Sequence, residues 1–259
     1  MVRILGGFKL SRPVIIMGFY GWPDAGKVAS GSIKYLIEKW NAKKLAEIDI
    51  EEYYILTSER PYGVIKDGWI ERIECPEGSF YVSEERNTIL LIGAEPNIRW
   101  TRYLGDIIEI VERFGVEKVL TLGGVLDNVP YTGEPIVTGL TNKEELWKTL
   151  KKLRVKPTSY KGPVSIHSII LEEMNKKGLE VISLWGHVPY FIPLPNPKVT
   201  YRLVRIIDEL LGYKLDLKDL QERAQSFERI VEEEISKDPT LKSLREKIRG
   251  EDERPFYVT

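Results

Sequence analysis

One cysteine, Cys75, stands in a chain of 259 residues, which excludes an internal disulfide framework and suits a reducing compartment. Histidine is nearly as scarce. His167 and His187 are the only two, neither at ligand spacing from the cysteine, so no zinc site or other metal site is readable. Charge of one sign is missing too. The formal net charge of −1 gives no reason to expect nucleic acid or an anionic membrane as a partner. No apolar run approaches the ~20 residues that span a bilayer. Residues 1–5 lack the apolar block and cleavage site of a signal peptide, so a cytoplasmic location is expected. Three methionines and two glutamines (Gln221 and Gln225), beside abundant Lys, Arg and Glu, follow the balance of proteins from hot environments.

What is present begins with a near miss. Hydrophobic residues at 42% and charged residues at 30% describe a globular chain long enough for a full core. Gly21, four residues, Gly26 and Lys27 reproduce the spacing of a phosphate loop. Val28 then occupies the position where a Ser or Thr hydroxyl holds magnesium. Pro23 removes an N–H from a loop that would aim such groups at phosphate. Asp24 fits a helix cap, and its carboxylate would repel a phosphate. The segment reads as a turn and a cap.

Hydrophobic periodicity sets the fold class. Residues 13–19 form an apolar run suited to a strand covered on both faces, and 25–40 carry apolar residues at helical spacing. Further strands are expected at 53–56, 88–93, 116–122 and 179–185, with helices near 98–114, 143–153 and 164–177. Glu95-Pro96-Asn97 reads as turn and cap chemistry for the helix that follows it. Residues 61–82 read as hairpins, with Asp67-Gly68 as the tight turn. Repeated strand, loop and helix imply parallel strands joined by right-handed crossovers. The expectation is an α/β fold: a three-layer α/β/α sandwich with a mostly parallel sheet, a β-hairpin insertion and a helical C-terminal region. The divisions are a core domain over 1–212 with the insertion at about 61–82, a helical region over 213–249, and a tail over 250–259.

Past the proline-rich 193–197 the pattern is helical, over about 199–211, 217–236 and 240–249. Leu217, Leu220, Ala224, Phe227 and Val231 step by three and four, a coiled-coil-like seam. The stripe packs either on the chain's own sheet or against a helix of a second subunit. The polar tail ends in Pro255-Phe256-Tyr257-Val258-Thr259, and aromatic residues on a solvated terminus suggest a docking element.

Chemistry is harder to place. Three loops, at 21–26, 123–133 and 186–197, should meet at the carboxyl edge of the sheet, where open α/β sheets hold ligands. They bring Asp24, Asp127, Asn128, Tyr131, Glu134 and His187 as candidate ligand-site residues. No G-x-S-x-G elbow is present, and Ser165 and Ser168 flank His167 on a helix rather than on a strand-to-helix turn. His187 follows a strand end and serves either a site or the packing of its loop. No catalytic constellation and no cofactor motif emerges.

Together, Phe19-x-Gly21-Trp22-Pro23-Asp24-Ala25-Gly26, Gly123-Gly124 with Tyr131-Thr132-Gly133, and Gly186-His187-Val188-Pro189-Tyr190 resemble the proteasome assembly chaperone family in its archaeal branch. The resemblance covers about residues 10–210. It implies a fold like that of nucleoside phosphorylases and hydrolases without their catalytic residues, and hence a non-enzymatic protein. It further implies a homo-oligomer whose C-terminal tails dock on the α subunits of the proteasome core particle as an assembly chaperone, adaptor or activator. Phe256-Tyr257 supplies the hydrophobic-Tyr pair of such a tail, but Val258 and Thr259 follow where the family has one residue. The alternative is a small-molecule enzyme of nucleoside-phosphorylase or ligase type, with its site at the carboxyl edge.

Overall fold

A computed structural model describes residues 2–237, Thr240 and Leu241. Nine strands among them form one sheet, in the spatial order β1 (Val2–Ile4), β3 (Lys43–Ile48), β6 (Gly78–Ser83), β7 (Thr88–Ala94), β2 (Val14–Tyr20), β8 (Lys118–Asp127), β11 (Glu180–Pro189), β9 (Val137–Thr141) and β10 (Lys156–Pro157). The central four, β7, β2, β8 and β11, run parallel. Antiparallel pairings extend the sheet through β6, β3 and β1 on one side and through β9 on the other.

The parallel centre follows from its sequence. In β2, Ile15, Met17 and Phe19 enter one core while Ile16 enters the other, so both faces are apolar and the strand reads as a continuous run. The same alternation places Ile89 and Leu91 of β7 opposite Leu90 and Ile92. Helices α2 (Trp100–Phe114) and α4 (Ile166–Lys176) cover the first face. Helices α1 (Val28–Lys39), α3 (Glu144–Lys152) and α5 (Pro197–Leu211) cover the second. Helix α6 (Lys218–Lys237) then packs on α5. Three layers, α/β/α, result.

Several local assignments differ from the sequence reading. Residues 53–56 form no strand. Tyr53 and Tyr54 instead turn their rings into the core, Tyr53 donating to Asp106 at 2.6 Å and Tyr54 to the Ala94 carbonyl at 2.8 Å. The strand lies earlier, at β3, where Lys43 and Lys44 mask the pattern. Of residues 61–82, only β4 (Tyr62–Lys66) and β5 (Trp69–Glu74) form a separate ribbon, while β6 joins the main sheet. Asp67 and Gly68 both take positive φ, 50° and 83°, as a two-residue hairpin turn of the primed type requires. Strands β8 and β11 run five and four residues past their expected ends, to Asp127 and Pro189, and β9 was not anticipated. The helix expected over 240–249 lies outside the described residues, apart from its first two.

Candidate functional site

The opening loop closes on itself. After β2 the chain makes a single turn at Ala25–Lys27 before α1 starts at Val28. Asp24 Oδ1 accepts the backbone N–H of Ala29 at 2.9 Å and of Ser30 at 3.1 Å, and Ser30 Oγ donates to Oδ2 at 2.6 Å. Those are the N–H groups a phosphate would need, and a buried carboxylate already holds them. Burial pushes the Asp24 carboxyl up to about 6, against the stabilising bonds from Ser30 and Ala29.

Gly124 lets this loop rest on the sheet. A Cβ there would stand 2.4 Å from the Ala25 carbonyl oxygen. Its neighbour Gly123 faces the opposite side, where a Cβ would meet the Trp185 indole at 2.5 Å. The glycine pair therefore admits a loop on one face and a flat ring on the other.

On the Trp185 face the sheet turns polar toward its carboxyl end. Val119 and Val181 belong to the apolar core, but Thr121 and Ser183 come next and hydrogen-bond at 2.9 Å. Trp185 donates its Nε1–H to Ser183 Oγ at 3.0 Å. Beyond it, His187 Nδ1 lies 2.7 Å from Asp127 Oδ2, and His187 Nε2 lies 3.0 Å from Thr138 Oγ1. Asp127 Oδ1 accepts the Asn128 N–H at 2.7 Å. All three members of the string are buried. The carboxylate accepts from Nδ1–H, and the tautomer of the ring sets which of Nε2 and Thr138 Oγ1 donates in the second bond.

A cavity of about 300 Å³ opens beside this string, over Trp185. Its other walls include Trp22 after β2, Thr138 and Leu140 of β9, Tyr160, and Ser165 at the start of α4. Carboxylate, imidazole and hydroxyl in sequence also activate nucleophiles. Thr138, however, sits within a strand paired on both sides, with Trp185 of β11 and Lys156 of β10, and not on the sharp turn that exposes such a hydroxyl.

The remaining sequence candidates part company. Asp24 caps α1, and only Asp127 and His187 meet, with Asn128 beside them. Tyr131 leaves the group altogether: its hydroxyl bonds to Glu232 of α6 and its ring packs on Phe191. Glu95 caps a helix, but α4 rather than α2, accepting the Ile166 N–H at 2.7 Å. The seam residues Leu217, Leu220, Ala224, Phe227 and Val231 are all buried. Leu217 and Leu220 join the α5 core, while Phe227 and Val231 pack with Phe191 and Ile192. These five residues thus pack within the chain, against α5 and against Phe191 and Ile192 after β11. Phe256, Tyr257, Val258 and Thr259 lie outside the described residues.

Sequence reasoning missed Thr138. The β-branched Val137-Thr138 after Pro135 was the available signal, but only the register of β9 against β11 turns it toward His187. His167 lies behind Trp185, its ring 5.4 Å from that indole and 5.2 Å from Phe19, with neither nitrogen hydrogen-bonded. Burial pushes it down to about 3, so the ring is neutral near neutral pH. Among the described residues, no group of three or more His, Cys, Asp or Glu is placed to hold a metal ion, and no helix is long and apolar enough to cross a membrane.

The architecture defines a mixed α/β sandwich protein, with six α-helices packed about a large central sheet among the described residues. Its sequence places it more narrowly. Residues 18–235 match the PAC2 family, and the chain belongs to that family. A PAC2 family protein from Streptomyces avermitilis is 30% identical, with a TM-score of 0.74 over 85% of this chain and 95% of that one. A proteasome-assembly chaperone homologue from Mycobacterium tuberculosis is 28% identical, with a TM-score of 0.77 over 89% of this chain and 98% of the other. PbaB of Pyrococcus furiosus, an archaeal proteasome activator, shares the fold at 20% identity, with a TM-score of 0.71 over 90% and 97% of the two chains. No curated protein matches.

Proposed function

We propose that this chain is a non-enzymatic assembly chaperone or adaptor of the proteasome, a homo-oligomer that engages the α ring of the core particle through its C-terminal tails. The observation that carries the reading is PAC2 membership together with the 28% identical proteasome-assembly chaperone homologue, which aligns over nearly its whole length. Phe256-Tyr257 supplies the aromatic pair that fills a pocket on a partner. Several tails on one oligomer convert modest single-site affinity into avidity.

The β4–β5 ribbon supports the oligomer. Trp69 is 78% exposed and Ile65 70%, with Tyr62, Ile70 and Ile73 also open to solvent. A two-stranded ribbon is marginal by itself in water, and a cluster of large apolar residues on it marks an interaction surface. A second copy is the partner present wherever the chain is made.

Capture of purified proteasome core particle by the full chain, compared with a chain lacking residues 255–259, tests the reading. Strong capture by the full chain alone is expected. Equal capture by both, or by neither, refutes tail docking.

A further inference from the structure

We infer that the cavity over Trp185 is a binding site for a small, neutral, flat aromatic molecule that donates an N–H to Thr138 Oγ1. The inference is independent of proteasome binding, because it rests on the sheet face and not on the tail.

Three observations define the ligand. The first is charge: among the described residues, none that lines the cavity is ionised, so a phosphate, a carboxylate or an ammonium group would enter without a counter-ion. The second is shape. Trp22, Tyr160 and Trp185 supply aromatic walls, and the volume of about 300 Å³ lies at the small end of ligand cavities, room for one or two fused rings. Trp185 is fixed in place, its indole seated over Gly123 and its Nε1–H held by Ser183, so the wall is formed before any ligand arrives. Trp22 is 53% exposed, apolar surface that a ring entering the cavity would cover.

The third observation is direction. Asp127 accepts from Nδ1–H of His187, and a ring with no proton on Nε2 takes its second hydrogen bond from the Thr138 hydroxyl. Thr138 has no second proton, so what its oxygen offers the cavity is lone pairs. A hydroxyl that is normally ambivalent becomes an acceptor. The buried Asp127–His187 pair therefore has a use in the absence of catalysis: it sets the polarity of one hydrogen bond at the cavity wall. His187 and Asp127 act through Thr138 as positioning residues.

Indole and 1-methylindole test this directly, because they differ by the one N–H. Isothermal titration of the full chain should show saturable indole binding at or below about 1 mM, as expected for a good fragment of this size. Binding of 1-methylindole should be about five- to tenfold weaker, the loss of one hydrogen bond. Indole-3-acetate, carrying a carboxylate, should bind more weakly than indole. In Thr138→Val the preference for indole over 1-methylindole should vanish, while Thr138→Ser retains it. No binding of indole by the wild-type chain overturns the proposal. So do equal affinities for the methylated pair, tighter binding of the carboxylate, or a preference that survives Thr138→Val. Should the valine variant fail to fold, the methylated pair on the wild-type chain decides.

Discussion

Replacing His167 with leucine should reverse the response of this protein to mild acid. The imidazole is buried between Phe19 and Trp185 with neither nitrogen bonded, and its pKa is pushed from the ordinary 6.5 down to about 3. Between those values the unfolded chain holds the proton and the folded chain does not. Stability therefore falls as pH drops through the window, by about 1.4 kcal/mol per unit. From pH 7 to pH 5 the loss is about 2 kcal/mol. Asp24 opposes it. Burial raises its carboxyl from 3.8 to about 6, so in that window the folded chain holds the proton more tightly and stability rises as pH falls. The offset from pH 7 to pH 5 is about 1 kcal/mol. These two groups thus leave a net loss of about 1 kcal/mol in the wild-type chain. His167→Leu should turn that into a gain of about 1 kcal/mol, and Asp24→Asn should deepen the loss to about 2. Other carboxylates are common to all three chains and cancel in the differences. Urea unfolding midpoints at the two pH values, at unchanged m, read the outcome. An acid dependence identical in His167→Leu and wild type would refute the burial argument.

Three other substitutions follow from packing. Gly124→Ala sets a Cβ against the Ala25 carbonyl oxygen and should destabilise by about 1–3 kcal/mol in the same urea assay, since backbone on both sides must shift. Phe227→Ala empties the centre of the α6 seam and should cost about 3–4 kcal/mol, with hydrogen exchange of α6 rising first. Ser substitutions at Trp69 and Ile65 together should lower the native mass by disrupting oligomer contacts and leave the unfolding midpoint of the subunit within about 0.5 kcal/mol, because both residues are exposed within the chain.

Much of the layered fold was legible because periodicity reports burial. The runs at 13–19 and 88–93 are apolar on both faces, and only a strand covered on both sides needs that. Lys43-Lys44 hid β3 for the complementary reason: those residues are exposed near the start of an antiparallel strand and carry no core pattern. Tyr53 and Tyr54 misled in the other direction, since buried aromatic rings in a turn mimic a short strand. The rejection of the nucleotide loop needed only residue identities. Asp24 as a cap of α1 was readable from its place before the helix, whereas Glu95 capping α4 joins residues 71 positions apart.

The sequence by itself determined the sandwich, the glycine pair and the caps close in the chain, because each depends on residues within one strand, turn or helix. Only the tertiary structure decided which side chains meet. Asp127, Thr138 and His187 come from three strands, and the β9 register against β11 brings them within hydrogen-bond reach. The same holds for the seam of α6. Its spacing fixes that a stripe must be buried, but α5 together with Phe191 and Ile192 after β11 supplies the surface that buries it. Local periodicity fixes what must be covered, and long-range packing selects what covers it.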